Sequence, residues 1–288
     1  VSGTFESADG SSVTDDDVDF DSIVTGSDIY ILEITTVDEN SESGFDTTAG
    51  LIAELVNSGP DDNVDGNTLN VSLPGVTAGA TYKIRKASTV SSIFGADNTI
   101  GLVGTSSTDF SGADLIYIPN APGSASPFTT VFFFDNGSTQ PWLTTSFSPA
   151  GNLPITYTDG ILVQRKGGTP TELTVTGEVK ETPTSYALTS GFNYSGISFP
   201  VGSTLGNSGL GAQLTSTSTT DFTNADVVYI VNPPGSSSPY TTAFYFDNGS
   251  TATWLTTSLS PADNLDLTSG VIIQIKGADT DAVITPNY

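Results

Sequence analysis

Apolar residues in this chain come in short runs, and nearly every run has the period or the composition of a strand. Leu69–Leu73 alternates Leu, Asn, Val, Ser, Leu, the pattern of a strand with one face buried. Asp28–Thr35 (DIYILEIT) is apolar on both sides and predicts a central strand. Leu115–Ile118, Thr129–Phe134 and Ile161–Gln164 are rich in β-branched and aromatic residues, as are Val227–Ile230, Thr241–Phe246 and Val271–Gln274. The 30 glycines and 16 prolines punctuate these runs closely, so the strands must be short and the turns frequent. Only Ala49–Val56 (AGLIAELV) has a helical look, and it is too short to stand as a helix. The pattern predicts an all-β chain of sandwich or barrel-like domains.

The second half of the strand list repeats the first. Thr108–Leu153 and Thr220–Leu265 align without a gap, with about two-thirds of positions identical. A repeat of about a hundred residues is the size of a domain rather than of a solenoid unit. Three tandem parts follow: an acidic N-terminal β domain at 1–76, a first duplicated unit at 77–181 and a second at 182–288, with a seam at Lys180–Pro183 (KETP). Within each copy, Asp135-Asn136-Gly137 and Asp247-Asn248-Gly249 follow an aromatic strand and precede a tryptophan. Asn-Gly tolerates the positive φ angles of a type I′ hairpin, and the tryptophan should pack on the aromatic strand across from it.

Composition narrows the chemistry. The 288 residues include no histidine, cysteine or methionine. Nucleophile–histidine systems are excluded, disulfides are impossible, and zinc, copper and haem lose their usual ligands. Val1 stands where a translation start would need methionine, so a removed secretion signal and an extracellular or cell-surface location are expected. No stretch approaches the roughly 20 apolar residues of a membrane-spanning helix. The 32 acidic residues against 7 basic give a net charge of −25, which argues against nucleic acid and anionic lipid as partners. Residues 1–76 hold no Lys or Arg and carry the acidic runs Asp15–Asp21 and Asp38–Glu42.

The order of ADLIYI, an aromatic triplet, Trp142, ILVQRKGG and LTVTG resembles a group of uncharacterised secreted β-rich repeat proteins of verrucomicrobial-type bacteria. The segments ATYKIRKASTVSSIFG (Ala80–Gly95) and SGFNYSGISFPVGSTL (Ser190–Leu205) are similar to the same group. The resemblance covers most of residues 77–276. It implies a secreted β protein and no assigned activity.

Four constellations carry possible chemistry. Phe134–Ser138 and Phe246–Ser250 resemble the Phe-Asp-Thr-Gly-Ser signature of aspartic proteases, which need two carboxylates sharing a proton. Asn136 and Asn248 replace the family's hydroxyl residue, only residues 248–288 follow Asp247, and no Tyr-Gly flap motif follows Asp135. Two Asn-Gly hairpins are the preferred reading of Asp135 and Asp247. Second, Asp61, Asn63 and Asp65 open like a calcium loop, D-x-N-x-D-G, although Ser72 stands where an EF-hand has Glu. Calcium is the one cofactor considered, and an Asp-Gly hairpin into Leu69–Leu73 is the competing reading. Third, Trp142 and Trp254, with Tyr117 and Tyr229, recur at equal positions and could stack on surface glycans, or pack in the core.

Fourth, the chain could bind itself. Residues 1–76 are acidic, while Lys83, Arg85, Lys86, Arg165, Lys166, Lys180 and Lys276 all follow them. Head-to-tail pairing of the two would propagate a filament, whereas local neutralisation would not. Extended segments at Val1, Gly3 and Phe5 and at Val283 and Thr285 could complete a neighbour's sheet edge. The sequence therefore favours a non-enzymatic structural subunit of an extracellular filament or surface assembly. A carbohydrate-binding adhesin stands second, and an aspartic-type hydrolase is a remote third.

Overall fold

A computed structural model describes residues 1–35, 50–120, 124–167, 172–175, 182–196, 199, 201–233, 235–267 and 270–284. The run Asp38–Glu42, residues Lys180 and Glu181 of the seam, and Thr285 lie outside them. The fold is nearly all β, built from several antiparallel sheets, and no helix among the described residues is long and apolar enough to cross a membrane.

The N-terminal sheet contains β1 (Ser2–Thr4), β2 (Tyr30–Ile34), β3 (Ile52–Leu55) and β4 (Thr81–Lys86), in the order β1-β4-β2-β3. β2 is central, as its two-sided apolar pattern requires. The segment with a helical look becomes β3, because pairing with β2 from Tyr30↔Leu55 to Glu33↔Ile52 outweighs a weak helix preference. β4 overturns the boundary expected at 76: residues 81–86 belong to the N-terminal sheet. A second small sheet, Ser7–Ala8, Val13–Thr14, Thr68–Leu69 and Val64–Asp65, contributes to the same core. Its last two strands form the Asp-Gly hairpin, Asp65 opposite Thr68, but the expected strand Leu69–Leu73 stops at Leu69. Phe5, Phe20, Leu32, Ile34, Leu69, Tyr82 and Ile84 fill the space between the sheets. Burial of each such side chain contributes about 1.5–3 kcal/mol.

The first copy forms the sheet β7-β6-β5-β8 from β5 (Leu115–Pro119), β6 (Phe128–Phe133), β7 (Trp142–Thr144) and β8 (Leu162–Gln164). Alternation along each strand sends side chains to opposite faces. Ile116, Ile118, Val131, Phe133 and Trp142 meet the short helix α1 (Val90–Phe94) on one face. Leu115, Phe132 and Leu143 meet Phe110 and Ala113 on the other. Thr89 caps α1 by accepting the Ser92 N–H, and Ser92 returns the bond.

The second copy pairs β9 (Thr184–Leu188) with a C-terminal strand and places β10 (Gly191–Ser195) at the edge of a five-stranded sheet. The remaining strands are β11 (Val227–Val231), β12 (Tyr240–Asp247), β13 (Ala252–Thr256), β14 (Val271–Ile275) and β15 (Thr280–Ile284). The sheet order is β10-β14-β11-β12-β13, and β15 is the partner of β9. Its packing matches the first copy position by position. Val228, Ile230, Trp254 and Ala262 hold the places of Ile116, Ile118, Trp142 and Ala150, and Phe222, Ala225 and Phe244 those of Phe110, Ala113 and Phe132.

The chain separates into two compact units. One comprises Val1–Ala87, Lys180–Asn193 and Ile197–Tyr288, and the other Ser88–Val179 with Tyr194–Gly196. The N-terminal domain thus groups with the second copy, and the described residues of the seam, Thr182 and Pro183, pack on it. Thr182 Oγ1 donates to Glu33 Oε1 at 3.0 Å. A Cβ on Gly50, whose φ is +80°, would collide with the Pro183–Ser185 backbone.

Candidate functional site

Both tryptophans are core residues. Trp142 lies opposite Phe133 in the strand register, 5.0 Å between ring centres, and its indole N–H donates to the Gly95 carbonyl at 2.8 Å. Trp254 packs on Tyr245 at 5.3 Å. They are 2 % and 1 % exposed, so neither presents a face to a sugar. Their recurrence marks hairpin packing, and Trp142 and Trp254 do not form the glycan-stacking surface that their repetition suggested. Tyr117 and Tyr229 are only half-buried, and each hydroxyl donates to a glutamine Oε1, of Gln164 and Gln274, at 3.0 Å.

Asp135 and Asp247 are turn residues. Asp135 accepts the Gly137 N–H at 2.8 Å and the Gln140 Nε2–H at 2.8 Å, and Asp247 accepts the Gly249 N–H at 2.9 Å. The Gly137 bond, then Gln140, hold the Asp135 carboxyl below the usual range. A proton-sharing pair needs one carboxyl pushed up instead. The loops are not type I′ turns: Gly137 and Gly249 have φ near +80°, but Asn136 and Asn248 do not enter the left-handed region. The asparagine side chains instead accept the N–H groups two and three residues on, closing longer loops.

The D-x-N-x-D-G stretch does not converge as a calcium loop would. Asn63 turns onto the strand before it: Oδ1 accepts the Val56 N–H at 2.9 Å, and Nδ2 donates to the Glu54 carbonyl at 2.8 Å. That takes the middle residue of the Asp61–Asn63–Asp65 set into the fold. Among the described residues, the carboxylates close enough to share a cation are Glu6, Asp15 and Asp17, whose oxygens lie within 4.8 Å of one another. Such oxygens suit a hard cation. Asp15 is buried and accepts the Tyr82 hydroxyl at 2.6 Å and the Asp17 N–H at 3.0 Å; Glu6 accepts the Asp16 N–H at 2.8 Å. Burial, then the bond to Asp15, push the Tyr82 hydroxyl far up. The acidic run Asp15–Asp21 signalled two of these three residues. Glu6 joins it only through the pairing of the segments around Ser7–Ala8 and Val13–Thr14.

The strand-exchange residues are engaged within their own chain. β1 pairs antiparallel with β4, Gly3 opposite Tyr82, and Phe5 stacks on Tyr82 at 4.3 Å, wholly buried. A Cβ on Gly3 would sit 2.5 Å from the Asp15 and Tyr82 oxygens, so only glycine lets β1 pass that bond. Val283 pairs with Ser185 in the β9–β15 ladder. Two of the basic residues pair locally: Arg85 binds Glu33 at 2.9 Å and Lys86 binds Asp28 at 2.6 Å, the local neutralisation weighed above against a head-to-tail contact.

Sequence reading missed one repeated device. Asp114 accepts the N–H groups of Val103 at 2.8 Å and Lys166 at 2.6 Å, and Asp226 accepts those of Thr215 and Lys276, both at 2.7 Å. Both carboxylates are buried. The signal was the Ala-Asp pair before an apolar strand in each copy. No protein-family model, curated protein or solved structure matches the chain.

Proposed function

We propose that this chain is a structural subunit of an extracellular filament or surface assembly that polymerises with itself by strand addition. The observation that carries the reading is β1, an edge strand followed by a buried aromatic plug, Phe5. A strand of that kind can make the same ladder and fill the same cavity in a neighbouring copy. The repeated residues support it: the recurring tryptophans and aspartates bond within their own copies and hold turns and cores. Calcium at Glu6, Asp15 and Asp17 would brace the base of β1, and chelation would then loosen the assembly.

A disulfide tests the exchange without unfolding the core. Ser2 and Lys83 are register partners, and the chain has no other cysteine. The variant Ser2→Cys/Lys83→Cys, oxidised as a monomer, locks β1 to its own sheet. It is expected to stay monomeric by light scattering and electron microscopy, and to form filaments on reduction. Filaments from the oxidised monomer would eliminate exchange of β1. A wild-type chain that stays monomeric at every concentration would eliminate the assembly role.

A further inference from the structure

Half of one face of the second copy's sheet lies open. Val227 and Phe244 are roofed by Phe222 and Ala225. Tyr229, Val231 and Tyr240, farther along the same face, are half-buried or exposed. The register sets Tyr229 opposite Thr242 and Ile272, and Val231 opposite Tyr240. Phe192 of β10 joins them: Tyr229 lies 5.9 Å from Phe192 and 6.2 Å from Tyr240, with ring planes at 51° and 81°. These tilted contacts hold the rings without stacking over their faces. Phe192 remains 55 % exposed.

Neutral hydrogen-bonding groups surround the rings. Gln274 Oε1 is occupied by the Tyr229 hydroxyl, while its Nε2, which can donate twice, and the Thr242 hydroxyl have no partner among the described residues. None of residues 191–195, 227–231, 240–246 and 271–275 is ionisable to a charge at neutral pH, in a chain of net charge −25.

We propose that this face binds a neutral polysaccharide, one sugar ring resting on Phe192 and its hydroxyls bonding Gln274 and Thr242. A pyranose ring has an apolar C–H face and a rim of hydroxyls, which matches an aromatic surface bordered by uncharged donors. A phosphate or acidic ligand finds no cation on the strands that carry these rings, the nearest in sequence being Lys276 beyond the end of β14, and an apolar peptide would bury the free Gln274 donors unsatisfied. The other unit repeats the chemistry: the Tyr117 hydroxyl bonds Gln164, and Phe128 lies 5.8 Å from Tyr117 and 4.5 Å from Tyr194. There the third ring, Tyr194, is half-buried, so the Phe192 site is the more open one. The site belongs to the single chain and does not depend on assembly.

Affinity electrophoresis of the full chain through gels containing hydroxyethyl cellulose, a β-1,3-glucan, starch or, as the acidic control, alginate tests this. A neutral polysaccharide should retard the chain. Phe192→Ala and Gln274→Ala should each weaken that retardation about tenfold or more, and Trp142→Phe should leave it unchanged. Phe192 is exposed and Gln274 half-buried, and thermal melts of both variants would verify folding. The proposal falls if no neutral polysaccharide retards the chain, if only alginate does, or if both variants bind like the parent. Loss of self-association in Phe192→Ala without any polysaccharide binding would also overturn it, assigning the face to a chain–chain contact.

Discussion

Arg165 approaches the buried carboxylate of Asp114 at 2.7 Å, while the matching position of the second copy is Ile275, buried in the core. The approach is that of an ion pair beside two backbone hydrogen bonds. Asp226 therefore shows that two N–H donors can hold such a carboxylate without a cation. Arg165 is partly open to solvent, which weakens its attraction. Arg165→Ile should cost no more than about 1–2 kcal/mol in urea unfolding. Asp226→Ala leaves the Thr215 and Lys276 N–H groups without acceptors and should cost roughly 2–5 kcal/mol. A larger loss for Arg165→Ile than for Asp226→Ala would refute this ranking.

The two tryptophans give a spectroscopic test of the hairpin packing. Both are buried, so native fluorescence should be blue-shifted and nearly insensitive to iodide, and denaturation should restore quenching. Trp142→Ala removes the contacts to Phe94 and Phe133 and leaves the Gly95 carbonyl without its donor. A loss of about 3–5 kcal/mol is expected. Strong iodide quenching of the folded chain would show that an indole reaches the surface.

Strand identity was legible because the turn residues and β-branched runs bracket each strand, and the central place of Tyr30–Ile34 followed from its two-sided pattern. The places of the Asp135 and Asp247 loops and the Trp142 and Trp254 pairings were legible for the same local reason, but the turn type was not, because the Asn136 and Asn248 side chains close longer loops than an Asn-Gly pair alone predicts. What could not be read were partners distant in sequence. Nothing in Thr81–Lys86 says that it will pair with Tyr30–Ile34 rather than open the first copy. Nothing in Glu6 says that it will meet Asp15 and Asp17. Nothing in Ser190–Leu205 marks Phe192 as exposed. Its exposure follows from its place on an edge strand, which only the sheet order reveals.

Phe147 and Leu259 occupy matching turn positions with φ of 63° and 62°, a left-handed backbone that side chains with a Cβ rarely adopt. Leu259 is largely exposed, so Leu259→Gly should relieve strain and raise stability by about 0.5–1 kcal/mol. Phe147 also meets Phe132 edge-on at 5.8 Å, and Phe147→Gly gives up that contact. Its gain should therefore be smaller or absent. Paired urea titrations decide the point: destabilisation by Leu259→Gly beyond 1 kcal/mol or so would mean that its side chain contributes packing which outweighs the strain.

Asp159 should make stability fall as pH rises. Its carboxyl is pushed above the usual range, chiefly by burial, with the Thr156 N–H bond at 2.7 Å and the Thr156 hydroxyl opposing the shift. An acid whose pKa is higher folded than unfolded binds more protons in the folded state between the two values. Its penalty is absent below the ordinary aspartate value of about 3.9, grows as pH rises toward the raised value, and is complete above it. Asp9, Asp109, Asp135 and Asp221 act in the opposite sense, because turn hydrogen bonds lower their pKa values; their contribution is present above the ordinary value and lost as pH falls through the lowered one. The net curve mixes both, so the test is a difference. Asp159→Asn keeps an acceptor for Thr156 and removes the charge. The variant should match the parent at the acid end, about pH 3–4, and exceed it at neutral pH. A stability difference that stays constant across that range would show that ionisation of Asp159 carries no cost in the fold.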